Sequence, residues 1–132
     1  MSQVFDLAVI GGGPGGYIAA IRGAQLGLGV VCIDAASNGA GESALGGTCT
    51  NVGCIPSKAL LQSSEHFAMA QHGLAEHGVR VAPPGLDLER MQSRKQTVVR
   101  QNNEGIAYLF KKNKVTFIHG RAAFQGLSLI HI

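Results

Sequence analysis

An α/β fold on a parallel sheet is what this sequence predicts, and three observations carry the prediction. Short apolar runs alternate with stretches of helical periodicity. A glycine cluster sits where the first run hands over to the first helical stretch. The 19 glycines gather in clusters without a Gly-X-Y period, marking special backbone positions and not low complexity. With 45% apolar and 14% charged residues, 132 residues are enough for one small domain with its own core.

In chain order, Val4–Ile10 (VFDLAVI) reads as a strand buried on both faces. From Gly15 to about Leu26 the pattern turns helical, with Tyr17, Ile18, Ile21 and Ala24/Gln25 three and four apart. Gly29–Asp34 (GVVCID) is a second buried strand. Strand, turn, helix and strand within about 30 residues make a βαβ unit, whose two strands run parallel. Ala35–Ala44 is a loop. Pro56, favoured in a first helical turn, opens a helix to about His72, and residues 73–85 connect onward. Asp87 is an N-cap candidate for a long helix through Lys112, with Leu88, Met91, Val98, Ile106 and Leu109 on one side. Val115–His119 (VTFIH) is a third strand.

Gly11, Gly13 and Gly16 spell G-x-G-x-x-G, with Pro14 inside it. Three glycines in six residues are a weak signal alone, but this set follows a predicted strand and opens a predicted helix. In that context Gly11 permits the tight turn, Gly13 the approach of a pyrophosphate and Gly16 close packing of helix on strand. The helix N-terminus faces the phosphates. The fold expected is therefore Rossmann-like. Asp34 ends the second strand, where an acid holds adenosine ribose hydroxyls and favours FAD or NAD over NADP. Cys32, in that same strand, reads as a buried core residue.

The net charge of +3 comes from scattered basic residues beside Asp87, Glu89 and Glu104. With few aromatics and no basic stripe, nucleic acid is not an expected partner. No run reaches the roughly 18 apolar residues a membrane span needs. Met1–Asp6 has no secretory-signal pattern, and three cysteines make no disulfide framework. The expected location is cytoplasmic. There a close cysteine pair points to catalysis or a metal. Cys49 and Cys54 are spaced C-x-x-x-x-C, poor for zinc without a second ligand pair, and the five histidines supply none. No metal is expected. Two cysteines at a helix start can instead close a small disulfide ring across its first turn, where the helix dipole lowers the thiol pKa. Such a pair needs an electron source beside it, and the flavin implied by the upstream turn is one.

GGTCTNVGCIPSKALL at 46–61 closely resembles the active-site segment of the dihydrolipoamide dehydrogenase family, in the group that includes glutathione and mercuric reductases. The resemblance covers roughly residues 3–126, about a third or less of a member's length, and makes this the N-terminal part of an FAD-binding domain with an incomplete sheet. The departures are Thr50 where leucine is common, Asp34 where many members carry Glu, and a longer loop between Asp34 and Gly46. The resemblance implies that Cys54 lies against the isoalloxazine and that Cys49 is the exposed interchange thiol. It places Lys58 near flavin N5, and Gly46, Gly47 and Thr48 at the phosphates and ribitol. Gly120-Arg121-Ala122 resembles the segment whose backbone reads the adenine, with Ala122 the preferred contact.

By the same resemblance, dihydrolipoamide is oxidised through the Cys49–Cys54 disulfide, with electrons passing to FAD and then NAD⁺. The substrate is carried by the lipoyl domain of a 2-oxoacid dehydrogenase complex, and the full-length enzyme is a homodimer. The NAD-binding and interface domains, and the partner subunit's catalytic histidine, are expected beyond residue 126, so that the 132 residues alone do not turn over. The last six residues, LSLIHI, are the translation of CTGTCTCTTATACACATC, which resembles a sequencing-library adapter end, so residues 127–132 are expected to be a scar. Two rival readings share the motifs: another flavin disulfide reductase of the glutathione or mercuric type, and a nonenzymatic dinucleotide-binding module.

Overall fold

A computed structural model describes residues 3–126 and 130–131. Three parallel strands form the sheet: β1 (Leu7–Ile10), β2 (Val30–Asp34) and β3 (Thr116–His119), in the order β1-β2-β3. Leu7 pairs with Val30 and Ile10 with Ile33, while Val31 pairs with Thr116 and Asp34 with His119. Helix α1 (Pro14–Gln25) crosses from β1 to β2, so the expected βαβ unit is present. The architecture is the Rossmann-like α/β class read from the sequence. Two helices follow, α2 (Gly47–Asn51) and α3 (Cys54–Ala68), and α3 runs out through a π turn and a 3-10 turn to His77. Helix α4 (Leu88–Lys112) then returns the chain to β3.

The middle strand is the buried one. Val30, Val31, Cys32 and Ile33 are all almost wholly inside, since β2 has a neighbour on each edge and helices over it. The expectation of a β1 buried on both faces is corrected: its residues are half-buried, Ile10 is exposed, and the strand begins at Leu7. Among the described residues β1 pairs only with β2, which leaves its other edge uncovered. Ile18 likewise lies on the outer face of α1, whose packed side is Tyr17, Ala20, Ile21 and Ala24.

The long helix caps as expected, with Asp87 Oδ1 accepting from Arg90 N at 2.9 Å. Its buried stripe is displaced from the one expected. Val99, Ile106 and Phe110 are buried, Leu88 and Leu109 are exposed, and Val98 and Met91 are half-buried. The cause is that α4 serves two partners. Its first half lies along α3, and its second half joins Ala20, Val30, Cys32, Leu45 and Val115 in the core, with the Phe110 and Phe117 rings 6.2 Å apart. A helix that changes partners does not keep one straight stripe.

Beyond the sheet, β4 (Ala123–Phe124) pairs antiparallel with β5 (Ile130–His131). The expectation for residues 127–132 falls, those two aside, outside the described residues. No helix among the described residues is long and apolar enough to cross a membrane.

The displaced stripe makes a direct prediction. Phe110→Ala is expected to cost about 3–5 kcal/mol, and Leu109→Ala less than about 1 kcal/mol. Chemical denaturation of the two variants checks this, and equal losses would restore the stripe read from periodicity.

Candidate functional site

The glycine turn depends on backbone conformation at Gly11 and on a missing Cβ at Gly16. Gly11 takes φ +102° and donates its N–H to Ile33 O at 2.7 Å, tying the end of β1 to β2. Gly13 caps α1, with Pro14 at its first helical position. A Cβ on Gly16 would stand 1.7 Å from Gly11 O, so α1 packs down on the turn only because that atom is missing. A Cβ on Gly11 or on Gly15 would meet nothing within 4 Å. The turn therefore shows a face free of side chains, with the N-terminal N–H groups of α1 beside it.

The second glycine cluster folds onto this turn. Gly46 N donates to Gly12 O at 2.9 Å. Gly47, at φ +61°, comes so near that a Cβ there would lie 2.7 Å from Gly13 Cα. Thus Gly46 and Gly47 meet Gly12 and Gly13 directly, although more than 30 residues separate them in sequence, and the exposed Thr48 follows.

Asp34 does something the sequence did not reveal. One carboxylate oxygen, Oδ2, accepts from Gly12 N, and the other, Oδ1, accepts from Ala36 N at 2.8 Å. The side chain ties the glycine turn to the end of β2, and each oxygen keeps lone-pair capacity for a further donor. Gly120 N donates to Asp34 O at 2.9 Å, so Gly11, Asp34 and Gly120 stand in a row at the carboxyl ends of the three strands. Ligands of open parallel sheets bind outside such ends. Ala122 follows, half-buried, two residues on.

The cysteines are not on one helix. Cys49 lies in the middle of α2 and Cys54 is the first residue of α3, with the chain breaking direction at Val52 and Gly53. The placement expected across one first turn is corrected: the two cysteines sit on different helices. Gly53 allows the break: a Cβ there would lie 3.0 Å from Thr48 O. Both sulfurs are free thiols and they interact. The Cys49 thiol is pushed above its ordinary value, chiefly by the neighbouring Cys54 thiol, with burial and the charge of Cys54 adding and the Cys54 backbone N–H pulling the other way. A lowering influence does reach Cys49 from the Cys54 backbone N–H at the start of α3, but the Cys54 thiol outweighs it. Exposure also runs against expectation, since Cys54 is exposed and Cys49 half-buried. Lys58 lies one turn after Cys54 on α3 and is exposed. With Ile55, Ala59, Gln62, Arg94 and Val98 it lines a groove of about 400 Å³ between α3 and α4.

Three further residues hold this site, and local pattern hardly marks them. Asn51 donates to Ala44 O and to Gly47 O, each at 2.9 Å. Asn103, from α4, donates to Leu45 O and to Asn51 Oδ1, the latter at 3.0 Å. Arg94, also from α4, donates to Ala59 O at 3.0 Å and to Gln62 Oε1 at 2.6 Å on α3. Asn51 stands inside the cysteine motif and could have been singled out. Asn103 acts across 52 residues, a distance at which no local pattern signals a partner. Thr50, noted only as a departure, is the buried polar residue of the described core and packs against Gly46.

Comparison with known proteins gives consistent results. The family model for pyridine nucleotide-disulphide oxidoreductases matches residues 5–129. A dihydrolipoyl dehydrogenase of Cupriavidus necator is 53% identical over 97% of this chain and 27% of its own length. The mitochondrial dihydrolipoyl dehydrogenase 2 of Arabidopsis thaliana is 49% identical over 96% of the chain and 24% of its own. A leghemoglobin reductase of Vigna unguiculata is 46% identical over 96% and 23%. The chain spans about a quarter of the length of the curated relatives it matches.

Two predictions concern the thiols. Replacing Cys54 by Ala is expected to lower the Cys49 thiol toward its ordinary value, because the group that holds its proton is gone. The pH dependence of iodoacetamide labelling measures this, and an unchanged profile would remove Cys54 as the cause. Cys32 is buried and its thiol is pushed from 9.0 up to about 11, by burial first and the Asp34 carboxylate second. A raised folded value stabilises the fold below the unfolded value and is lost as pH climbs through the folded one. Stability is therefore expected to fall between pH 9 and about 11. Cys32→Ala is expected to flatten that part of the profile, as followed by urea unfolding.

Proposed function

Since the chain belongs to the pyridine nucleotide-disulphide oxidoreductase family, we propose that it is the FAD-binding, redox-active part of a dihydrolipoamide dehydrogenase. The observation that carries the reading is the contact between Gly13 and Gly47, which joins the dinucleotide turn to the cysteine segment in one backbone unit. The residues fit an FAD. The side-chain-free face over Gly11 and Gly15 admits a pyrophosphate at the start of α1. In this assignment Gly11, Gly13, Pro14, Gly16, Gly46, Gly47 and Thr48 hold the phosphates and ribitol. Asp34 accepts from the ribose with its remaining lone pairs, the backbone at Gly120 and Ala122 meets the adenine, and Lys58 sits beside the flavin ring. When bound, FAD supplies the two-electron acceptor that returns the protein dithiol to its disulfide, with NAD⁺ beyond it.

The chemistry of the chain itself is thiol–disulfide exchange. A thiolate of dihydrolipoamide attacks Cys49 Sγ, the Cys49–Cys54 bond breaks, and Cys54 leaves as thiolate. The second substrate thiol gives up its proton and attacks the substrate sulfur of the mixed disulfide. The cyclic disulfide departs and Cys49 leaves as thiolate and takes a proton. The substrate is dithiol oxidised to disulfide, and the protein pair is disulfide reduced to dithiol. The reading requires Cys54, exposed in the chain alone, to be covered by the flavin, which leaves Cys49 to meet substrate. The NAD-binding and dimer-interface domains, the homodimer and the lipoyl-domain partner belong to the longer protein in this proposal.

A second reading rests on the likeness to a leghemoglobin reductase: the same pair and flavin serving a different electron acceptor. Purified full-length protein assayed with dihydrolipoamide and NAD⁺, and separately with other disulfides and haem proteins, distinguishes the two. Cys49→Ser and Cys54→Ser are each expected to lower the dihydrolipoamide rate by about a thousandfold or more. Turnover retained in both variants would sink the disulfide mechanism.

A further inference from the structure

A covalent bond between Cys49 and Cys54 asks for a fixed separation, yet the two sulfurs ride on different helices. Between them the backbone leaves helical geometry twice, at Val52 (φ −136°, ψ −3°) and at Gly53 (φ −114°, ψ −108°). Gly53 is the residue with the widest conformational choice. Once the pair is reduced, no covalent link spans this break other than the backbone itself.

What spans it without passing through it is α4. Asn103 reaches α2 and its lead-in, donating to Leu45 O and to Asn51 Oδ1, and Asn51 in turn donates to Gly47 O and Ala44 O. Arg94 reaches α3, with its guanidinium on Ala59 O, Gln62 Oε1 and, at 3.4 Å, Ser63 Oγ. Asn103 and Arg94 lie nine residues apart on one uninterrupted helix, about 13.5 Å of a rod whose rise per residue is fixed by its own hydrogen bonds. One end holds the helix of Cys49 and the other holds the helix of Cys54.

We propose that α4 is a splint across the Val52–Gly53 break, Asn103 and Arg94 being positioning residues that keep the reduced sulfurs at bonding separation. The proposal rests on the reading of Cys49 and Cys54 as a redox pair. In terms of exchange chemistry, the splint raises the effective concentration of one thiol at the other, which stabilises disulfide against dithiol. Loosening it makes the pair easier to reduce, with no change in which atoms react.

The test is the midpoint potential of the Cys49–Cys54 couple in the full-length protein, equilibrated in glutathione buffers and read by trapping free thiols. Asn103→Asp keeps the shape and removes both donors, and Arg94→Met keeps the stem and removes the fork. Each is expected to cost about tenfold in effective concentration, a rise of about 30 mV. Asn102→Ala, whose amide among the described residues bonds to Val98 O of its own helix, is expected to leave the potential at the wild-type value. A splint fails when either end lets go, so the double variant is expected to shift little further than one single variant. Shifts that simply add would mean two independent structural contacts and would overturn the splint. Wild-type potentials in Asn103→Asp and Arg94→Met, each shown folded by circular dichroism, would overturn it too. Should Asn103→Asp fail to fold, Arg94→Met alone still decides, since a splint predicts its shift. If the wild-type cysteines form no disulfide in any buffer, the redox-pair reading itself fails, an outcome distinct from unshifted variants.

Discussion

The backbone of Gly12 is the point on which the remaining geometry hangs, because three separate parts of the chain meet there. Its N–H is held by the Asp34 carboxylate at the end of β2, and its carbonyl receives the N–H of Gly46 from the segment that leads into α2. The residue is buried, and a Cβ there would collide with Asp34 Oδ2 at 2.6 Å and Leu45 Cδ2 at 2.9 Å. A buried amide costs free energy unless it is paired. Here both halves of the peptide group are paired, and each pairing fixes one element relative to another.

Several other features follow from that junction. With Gly46 tied to Gly12, Gly47 is brought against Gly13, and Gly47 has to be glycine because a Cβ there would lie 2.7 Å from Gly13 Cα. Cys49 then follows two residues after Gly47, so its place relative to the first turn is set by backbone and not by side-chain packing. Cys54 is placed differently, since the chain breaks at Val52–Gly53 before α3 begins. Its helix is located by α4, whose second half is anchored in the sheet core through Ile106 and Phe110. The same long helix thus reports the position of the sheet to both cysteine-bearing helices.

A backbone face without side chains, at a helix N-terminus and outside the carboxyl ends of parallel strands, suits a dinucleotide. Two interacting thiols beside it suit two-electron exchange. Cys32 shows the contrast with an inert thiol: wholly buried, its Sγ 3.9 Å from Gly11 O, and pushed far from the range in which it would ionise.

Sequence alone was enough for whatever depends on short-range pattern. The βαβ unit, the parallel pairing, the glycine turn, the Asp87 cap and the six-residue cysteine motif are each encoded within a few residues of themselves, where spacing and backbone preference act directly. Tertiary structure decided whatever needs a partner from elsewhere. Whether β1 is buried depends on having one neighbour or two, and the buried stripe of α4 depends on the two surfaces that helix meets. That Asp34 binds the Gly12 backbone and that Asn103 and Arg94 hold the cysteine helices arise from atoms tens of residues away, and the raised Cys49 thiol arises from Cys54 being set on a second helix against it. A local pattern carries no record of them, because hydrogen bonds and desolvation act through space and the chain comes together there only once it has folded.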